Sequence, residues 1–245
     1  AVSAFLLNRS SDLSHTNKDM ALKPEGEREF KFTQGYGSYV MENILFKISF
    51  PAEFHSQTAC ECAVKLHPEV RNRLDDIEKI VITTHESAIR IISKVGPLAN
   101  PADRDHCLQY MTAVPLIFGD LVAEHYEDDF HKAHPVIDEL REKMEIVEDE
   151  RYTREYLEPD KRSIANAVQV FFKDGTSTDN VAVEYPIGHR RRRDEGIPVL
   201  ENKFLNNLRT RYPEWKCQQI MELTLDQNRL EEMPVNAFME LLVTT

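Results

Sequence analysis

The sequence predicts an α+β fold, in which a small mixed unit of strands and helices is flanked by helical segments. Two β-rich runs surround Asp174-Gly175, and another β-branched run covers Lys79–Thr84. From Ile197 onward the apolar residues recur at helical spacing. Along the chain the patterns are helical, then mixed, then helical again, which places the mixed unit at about residues 47–187.

Composition sets the broad class of protein. The chain has 245 residues, of which 41% are apolar and 29% charged, so it is long enough to build a sizeable core. The formal charge of −12 argues against a general nucleic-acid binder and against docking on anionic membranes. No apolar run approaches the ~20 residues of a membrane span, and the opening "AVSAFLLNRS" lacks a basic leader. We therefore expect a protein that is not secreted.

Cysteine and histidine spacing predicts neither a metal site nor a cofactor. The four cysteines form no CxxC pair and no zinc pattern, and we expect reduced, buried thiols. Cys60 and Cys62 should point to different faces of one helix. His131 and His134 have a spacing that suits a metal, but no clear third ligand accompanies them, which favours a surface pair.

The first elements surround Pro51. The stretch "SYVMENILFKISF" fits both a buried helix and an apolar strand. A helix is predicted from Ser56, a good N-cap, to Leu66. His67-Pro68 should end it, because the residue before a proline avoids the helical region.

The later elements follow from periodicity and turn residues. "NPADRDHCLQYMTAVPLIFGDLV" predicts one long helix, and "HPVIDELREKM" an amphipathic one. Asp174-Gly175 predicts a two-residue hairpin turn, whose strands should pack with the strand at Lys79–Thr84. Helices are also predicted at "VLENKFLNNL", at "EWKCQQIMEL" and after Pro234.

His55 and Lys47 are the first candidate site residues. A histidine just ahead of a helix meets the positive end of the helix dipole, which favours a neutral ring that can act as a base. The alternative is a capping or core histidine. Lys47 can approach His55 if the chain folds back across Pro51, and its alternative is a surface lysine with a partly buried stem.

A polar group opens the predicted long helix. Arg104 beside free backbone N–H groups would make an anion site. His106 and Tyr110 are spaced to share one helix face. The alternative is a polar helix start with a half-buried tyrosine.

The run "GHRRRRDEGIP" is the third candidate. Arg191 and Arg192 would suit a carboxylate clamp, since arginine grips planar anions with two nitrogens. The alternative is a loop whose arginines pair with carboxylates of this acidic chain. A nucleic-acid patch is disfavoured because Asp194 and Glu195 follow at once.

Three long stretches in order resemble one known family. "GYGSYVMENILFKISFPAEFHSQTA", "GPLANPADRDHCLQYM" and "VEYPIGHRRRRDEGIPVLENKF" together resemble the carboxy-terminal half of MmgE/PrpD family proteins. The similarity runs from about Gly26 to the end, and "LEEMPVNAFMELLV" resembles the family's tail. Three separate motifs in order are more specific than any single pattern.

The resemblance implies a metal-independent dehydratase that converts 2-methylcitrate into 2-methyl-cis-aconitate in the methylcitrate cycle. It implies a large all-helical domain with a smaller α+β lid, usually in a homodimer, with the active site between the domains. The implied organisation is an unmatched tail (1–25), the end of a helical segment (26–46), the lid (47–187) and a carboxy-terminal helical segment (188–245). Because the amino-terminal helical half is absent, we expect a part of a longer protein.

The resemblance also implies functional residues. His55, Tyr110 and Lys47 fall where the family has active-site residues, and His106 and Arg104 are added as their neighbours. Elimination of water beside a carboxylate needs a base, an acid and cations. With Arg191 and Arg192 as substrate-binding candidates, the expected partner is a small tricarboxylate, without nucleic acid, membrane, metal or cofactor.

The compartment and two other functions follow as expectations. The protein is expected in the cytoplasm if bacterial and in the mitochondrial matrix if eukaryotic. The open alternatives are an inactive interaction or antigenic module and an enzyme like cis-aconitate decarboxylase.

Overall fold

A four-stranded sheet and one buried helix organise the fold. The computed structural model describes residues 44–243, and α1 is the helix Gln57–Val70. The strands are β1 (Ile77–Thr84), β2 (Met144–Glu148), β3 (Asn166–Phe172) and β4 (Val181–Val183), in the spatial order β2-β1-β3-β4. Strand β1 runs parallel to β2 and antiparallel to β3, which runs antiparallel to β4. The predicted α+β class is confirmed.

The remaining helices lie in three parts of the chain. Between β1 and β2 are α2 (Glu86–Ile92), α3 (Pro101–Arg104), α4 (Leu108–Phe118), α5 (Asp128–Ala133) and α6 (Val136–Glu142). Helix α7 (Glu150–Leu157) connects β2 to β3. After β4 come α8 (Arg193–Arg209), α9 (Glu214–Leu225), α10 (Gln227–Glu232) and α11 (Val235–Leu241). The helices predicted after Ile197 are confirmed, and no helix within 44–243 is long and apolar enough to cross a membrane.

Strand β1 is the centre of the sheet. Ile80 and Ile82 are fully buried, and they lie opposite Val170 and Val168 of β3. β-Branched side chains on one face of a strand pack well against such neighbours. The predicted strand at 79–84 and its pairing with the hairpin are both confirmed.

The hairpin turn differs from the two-residue turn that was predicted. The loop is Lys173–Gly175, because the Phe172 N–H donates to the Thr176 carbonyl (2.8 Å) and the Gly175 N–H donates to the Phe172 carbonyl (2.9 Å). Gly175 has a φ of +83°, whereas Asp174 keeps a negative φ. The Asp174 carboxylate instead accepts the Thr176 N–H (2.9 Å), which stabilises a longer loop.

Helix α1 is packed on two sides, by α4 and by the sheet. Small side chains on this helix allow both neighbours to approach closely. The Cys60 thiol donates to the carbonyl of Met111 in α4 (3.1 Å). The Cys62 thiol faces the carbonyl of Asn166 in β3 (3.6 Å). Both cysteines are fully buried, as is Ala63. The prediction that the two thiols point to different faces is confirmed.

The predicted end of α1 is wrong. The helix continues through Pro68 to Val70, and the Arg71 N–H closes the last turn on the His67 carbonyl (2.9 Å). A proline inside a helix removes one backbone hydrogen bond. Val70 is fully buried in the core, and this burial favours the extra turn despite that loss.

The predicted single helix from Asn100 is also wrong, because α3 and α4 are separate. The Asp105 N–H closes α3 on the Pro101 carbonyl (2.9 Å). Cys107 then takes an extended conformation with φ of −121° and caps α4. This residue is fully buried, so the chain turns inward between the two helices.

The segment Ile44–Phe50 is neither helix nor strand. It contacts the carboxy-terminal part of the chain, since the Phe46 N–H donates to the Gly188 carbonyl (3.2 Å) and the Arg193 guanidinium lies 4.2 Å from the centre of the Phe46 ring. The predictions for residues 1–25 and for most of 26–46 lie outside the described residues. The lid boundary at residue 187 stays a prediction.

The hairpin loop gives a direct stability test. Gly175→Ala should lower the free energy of unfolding by about 1 kcal/mol, because a Cβ is strained at positive φ. No atom of the described residues lies within 4 Å of that Cβ, so the substitution tests backbone strain and not a steric clash. Gly175→Asn is the control and should cost less, since asparagine tolerates this conformation. Equal losses for both variants in urea unfolding would contradict the assigned turn.

Candidate active site

His55 lies in a short 3-10 turn, Phe54–Ser56, which leads directly into α1. The turn is fixed from the α1 side by the Gln57 amide, which donates to the carbonyls of Phe50 (3.0 Å) and Ala52 (2.8 Å). These side-chain bonds satisfy carbonyls in a segment that has no regular structure of its own. The backbone that leads into His55 is therefore held in place.

The sheet holds the same turn from the other side. The amide of Asn166, at the start of β3, donates to the His55 carbonyl (2.7 Å) and to the Thr58 hydroxyl (2.7 Å). The Thr58 hydroxyl in turn donates to the Ile164 carbonyl (2.6 Å). All four residues are buried, so these bonds fix the amino terminus of α1 on the sheet.

Glu53 forms a buried pair with the His55 ring. Nδ1 of His55 lies 3.0 Å from both carboxylate oxygens, and the His55 backbone N–H donates to Oε2 (2.7 Å). Burial by itself raises the pKa of Glu53, but its hydrogen bonds and charge interaction with His55 outweigh burial and hold the pKa below its usual value. Because an ionised carboxylate only accepts, Nδ1 carries the proton. Nε2 is left as the reactive nitrogen.

The free nitrogen faces a phenol and a second imidazole. Nε2 of His55 is 3.2 Å from the hydroxyl oxygen of Tyr156, which is half-buried on α7. The Tyr156 ring stacks on His85 with 4.6 Å between centroids and an interplanar angle of 10°. The rings of His55 and His85 are 5.2 Å apart. Three rings therefore meet at the start of α1.

His85 is the most buried member of this group. It follows β1 and caps α2, where its Nδ1 accepts the Ala88 N–H (3.4 Å). Its proton is therefore on Nε2, and this buried atom has no hydrogen-bond partner among residues 44–243. The pKa of His85 is lowered to about 3, mainly by burial and also by positive charge on His55, while Glu53 opposes the shift. The ring is neutral at physiological pH.

These residues suit proton transfer. A carboxylate that holds one imidazole nitrogen, with the other nitrogen beside a hydroxyl, is a general acid–base arrangement. Within the part of the chain that the structure describes, no group of three histidine, cysteine or acidic side chains could hold a metal ion.

Tyr110 and His106 do not share a face. The Tyr110 hydroxyl is buried and donates to the His125 carbonyl (2.6 Å), and burial raises its pKa to about 12. His106 is exposed in the turn before α4, with its Nδ1 2.6 Å from Asp105. The predicted shared face is wrong because α4 begins only at Leu108.

Arg104 is occupied by its own chain. It is 1% exposed, and its Nε donates to the Tyr126 carbonyl (2.7 Å). One terminal nitrogen pairs with Asp128, and the other lies 3.3 Å from Nδ1 of His131. These contacts favour the structural alternative, and a substrate-binding role for Arg104 stays a prediction.

Arg192 is similarly occupied. It makes a two-point contact with Glu61 of α1 (2.8 and 3.0 Å) and also pairs with Glu195 (2.8 Å). Arg191 donates to the Asp160 carbonyl, and its guanidinium lies 5.1 Å from the centre of the Tyr185 ring. These contacts join the carboxy-terminal helices to α1 and agree with a loop whose arginines have partners. Substrate binding by Arg191 and Arg192 stays a prediction.

Lys47 lies on the surface, and its carbonyl accepts a hydrogen bond from the ammonium group of Lys203 (2.7 Å). No hydrogen bond or ion pair joins its side chain to His55 among the described contacts of residues 44–243. That Lys47 and His55 lie together around a substrate stays a prediction.

The sequence analysis missed Glu53, His85 and Tyr156. Glu53 had a detectable signal, because it stands two positions before His55 and can reach it. His85 had a weaker one, since it follows the predicted strand at the start of a helix. Tyr156 had none, because it is 101 positions from His55 along the chain.

The titration of His85 gives a stability test. In the unfolded chain the His85 ring is protonated with a pKa of about 6.5, whereas in the native protein it stays neutral down to a pH of about 3. As the pH is lowered from about 6.5 to about 3, the free energy of unfolding should therefore decrease by about 1.4 kcal/mol per pH unit. Above this window His85 should make no such contribution. His85→Asn keeps a helix cap and should lack this component. Denaturant unfolding of both proteins at several pH values measures the difference, and identical pH slopes would contradict a buried neutral His85.

Comparison with known proteins identifies the family. Residues 50–227 match the MmgE/PrpD C-terminal domain. The chain is 54% identical to 2-methylcitrate dehydratase of Escherichia coli strain K12 over 228 residues, which cover 92% of this chain and 46% of that protein.

Other relatives agree. The mitochondrial 2-methylcitrate dehydratase of Yarrowia lipolytica is 54% identical over 89% of this chain and 42% of its own length. The Cupriavidus necator enzyme is 56% identical over 86% and 44%. The chain thus spans less than half the length of these relatives. It belongs to the MmgE/PrpD family, of which it contains the C-terminal domain.

Proposed function

We propose that this chain supplies part of the active site of a hydro-lyase that removes water from 2-methylcitrate to give 2-methyl-cis-aconitate. The relatives that carry the name 2-methylcitrate dehydratase support the reaction. The observation that supports a site in this part of the protein is the buried Glu53–His55 pair with Nε2 directed at a hydroxyl.

The chemistry of dehydration suits this pair. A base must take the proton from the carbon beside a carboxylate while the hydroxyl on the next carbon leaves. We assign the base to Nε2 of His55. The Glu53 carboxylate fixes the ring through Nδ1 and stabilises the imidazolium that forms, as the acidic member of a catalytic triad does.

A tricarboxylate substrate also needs cations. Of the predicted cationic residues, Lys47 and Arg191 are exposed, and we assign both to substrate carboxylates. Arg104 and Arg192 are occupied by carboxylates of their own chain. A catalytic role of Tyr110 rests on the family resemblance, and one of His106 on its place beside Arg104 in the sequence, while the contacts of both favour structural roles.

The proposal includes the setting of the reaction. Acid–base groups suffice for this elimination, so the enzyme should need no metal. The family resemblance supports a role in the methylcitrate cycle of propionate oxidation and a homodimeric enzyme. The bacterial and mitochondrial relatives support the cytoplasm or the mitochondrial matrix as its compartment, depending on the source.

The assay is incubation of the full-length protein with 2-methylcitrate, followed through the absorbance of the conjugated acid. We expect turnover that persists after treatment with EDTA. A folded protein without turnover would contradict the proposal and favour an inactive interaction module. Release of CO₂ from cis-aconitate would favour a decarboxylase instead.

A pair of histidine variants tests the site. His55→Gln should lower kcat by roughly 10²–10⁴-fold, the usual contribution of a positioned acid–base group. His134→Gln is the matched control, because this half-buried histidine contacts the Phe130 carbonyl (2.7 Å) and none of its described contacts is with the group around His55. This variant should leave kcat unchanged. Thermal unfolding of both variants separates loss of catalysis from loss of folded protein. Equal effects of the two substitutions on kcat would place the base elsewhere.

A further inference from the structure

Tyr156 is the most accessible ring of the group at the start of α1. His55 is 7% exposed and His85 fully buried, whereas Tyr156 is half-buried on α7. Its hydroxyl lies 3.2 Å from Nε2 of His55. A molecule that reaches Nε2 from solvent therefore meets the Tyr156 hydroxyl beside it.

The stack on His85 fixes the direction of that hydroxyl. The two rings are nearly parallel, at 10°, with 4.6 Å between centroids. His85 itself is held by its bond from the Ala88 N–H at the start of α2. The phenol is therefore supported by a ring that is tied to the backbone, and this arrangement restricts the rotation of Tyr156.

We propose that Tyr156 is a further catalytic residue, which donates the proton to the departing hydroxyl, and that His85 is a positioning residue that holds the phenol beside His55. This inference rests on the proposed dehydration and adds to it the acid and its support. It uses residues that neither the motifs nor the family resemblance singled out.

The proton balance closes with these two groups. Nε2 of His55 takes the proton from carbon, the C–H electron pair forms the double bond, and the C–O bond breaks with its electrons on oxygen. Tyr156 gives its proton to that oxygen, and water leaves. His55 is then an imidazolium and Tyr156 a phenolate. The proton passes from Nε2 back to the phenolate oxygen across the 3.2 Å contact between these two atoms, which restores both groups.

The neutral state of His85 supports this role. The titratable groups that face it are His55, Glu53 and Tyr156. A positive His85 ring, 5.2 Å from the His55 ring, would oppose the imidazolium that forms during the reaction. Burial keeps the pKa of His85 at about 3, so no second positive charge competes with His55.

Tyr156→Phe in the full-length protein tests the catalytic part. This change keeps the ring stack and removes only the hydroxyl, so kcat should fall by about 10²-fold with little change in KM. Tyr152→Phe is the matched control from the same helix and should leave kcat unchanged. Replacement of Tyr156 by the more acidic 3-fluorotyrosine should move the alkaline limb of the kcat profile to lower pH. Normal kcat in Tyr156→Phe, or an unmoved alkaline limb, would overturn the assignment.

Two His85 variants test positioning. His85→Asn keeps a helix cap but removes the ring, and His85→Phe keeps a ring but removes the cap. We expect kcat per folded molecule to fall by about 10-fold in the Asn variant and to be largely retained in the Phe variant. The opposite order, or losses that vanish after correction for folded protein, would show a purely structural role.

A readout without turnover separates this inference from the proposed function. The ¹⁹F resonance of 3-fluorotyrosine at position 156 should shift in His85→Asn and in His55→Gln, because each substitution removes one imidazole ring that contacts the phenol. An unchanged resonance in His85→Asn would overturn positioning. If the unmodified protein does not dehydrate 2-methylcitrate, the function fails and the acid role fails with it, while the resonance still decides the positioning. If it does so and Tyr156→Phe does too, only this inference fails.

Discussion

Burial of α1 on two sides fixes the position of the groups in the candidate site. Small residues such as Ala63 let α4 and the sheet approach the helix closely, and Cys60 and Cys62 contact these two neighbours. The side-chain hydrogen bonds of Gln57 and Asn166 then fix the position of the turn that leads into α1. His55 inherits its orientation from this packing.

The site combines one buried charge with a neutral imidazole. A buried carboxylate is costly unless it is paired, and Glu53 is bonded to both the backbone N–H and the ring of His55. His85, in contrast, is buried without charge. Because the two imidazoles have different partners, only the ring beside Glu53 is suited to gain and lose a proton, which gives the two histidines separate roles.

Local signals predicted much of the fold, and tertiary contacts account for the errors. The alternation in β1 and the glycine at 175 depend on neighbours in sequence, so both were detectable. The continuation of α1 to Val70 depends on a core that sequence periodicity does not reveal. Tyr110 was grouped with His106 because the helix was predicted to start too early, and its hydroxyl points to His125.

The site was only partly predictable, for the same reason. His55 was predicted from its place before a helix and from the family resemblance, and its catalytic role stays a prediction. His85 and Tyr156 reach it only because β1 and β2 are neighbours in the sheet, which brings the segments after both strands to one edge. A parallel pairing of this kind carries no short-range signature.

Glu53 holds the proton of His55 on Nδ1 and leaves Nε2 available for proton transfer. Long-range ¹H–¹⁵N NMR spectra of the full-length protein, recorded where the ring is neutral, measure this directly. We expect a protonated Nδ1 and an unprotonated Nε2 whose resonance shifts when 2-methylcitrate is added. In Glu53→Gln the preference for this tautomer should weaken. A proton on Nε2 in the unmodified protein, or an Nε2 resonance that does not shift when substrate binds, would contradict this role of Glu53.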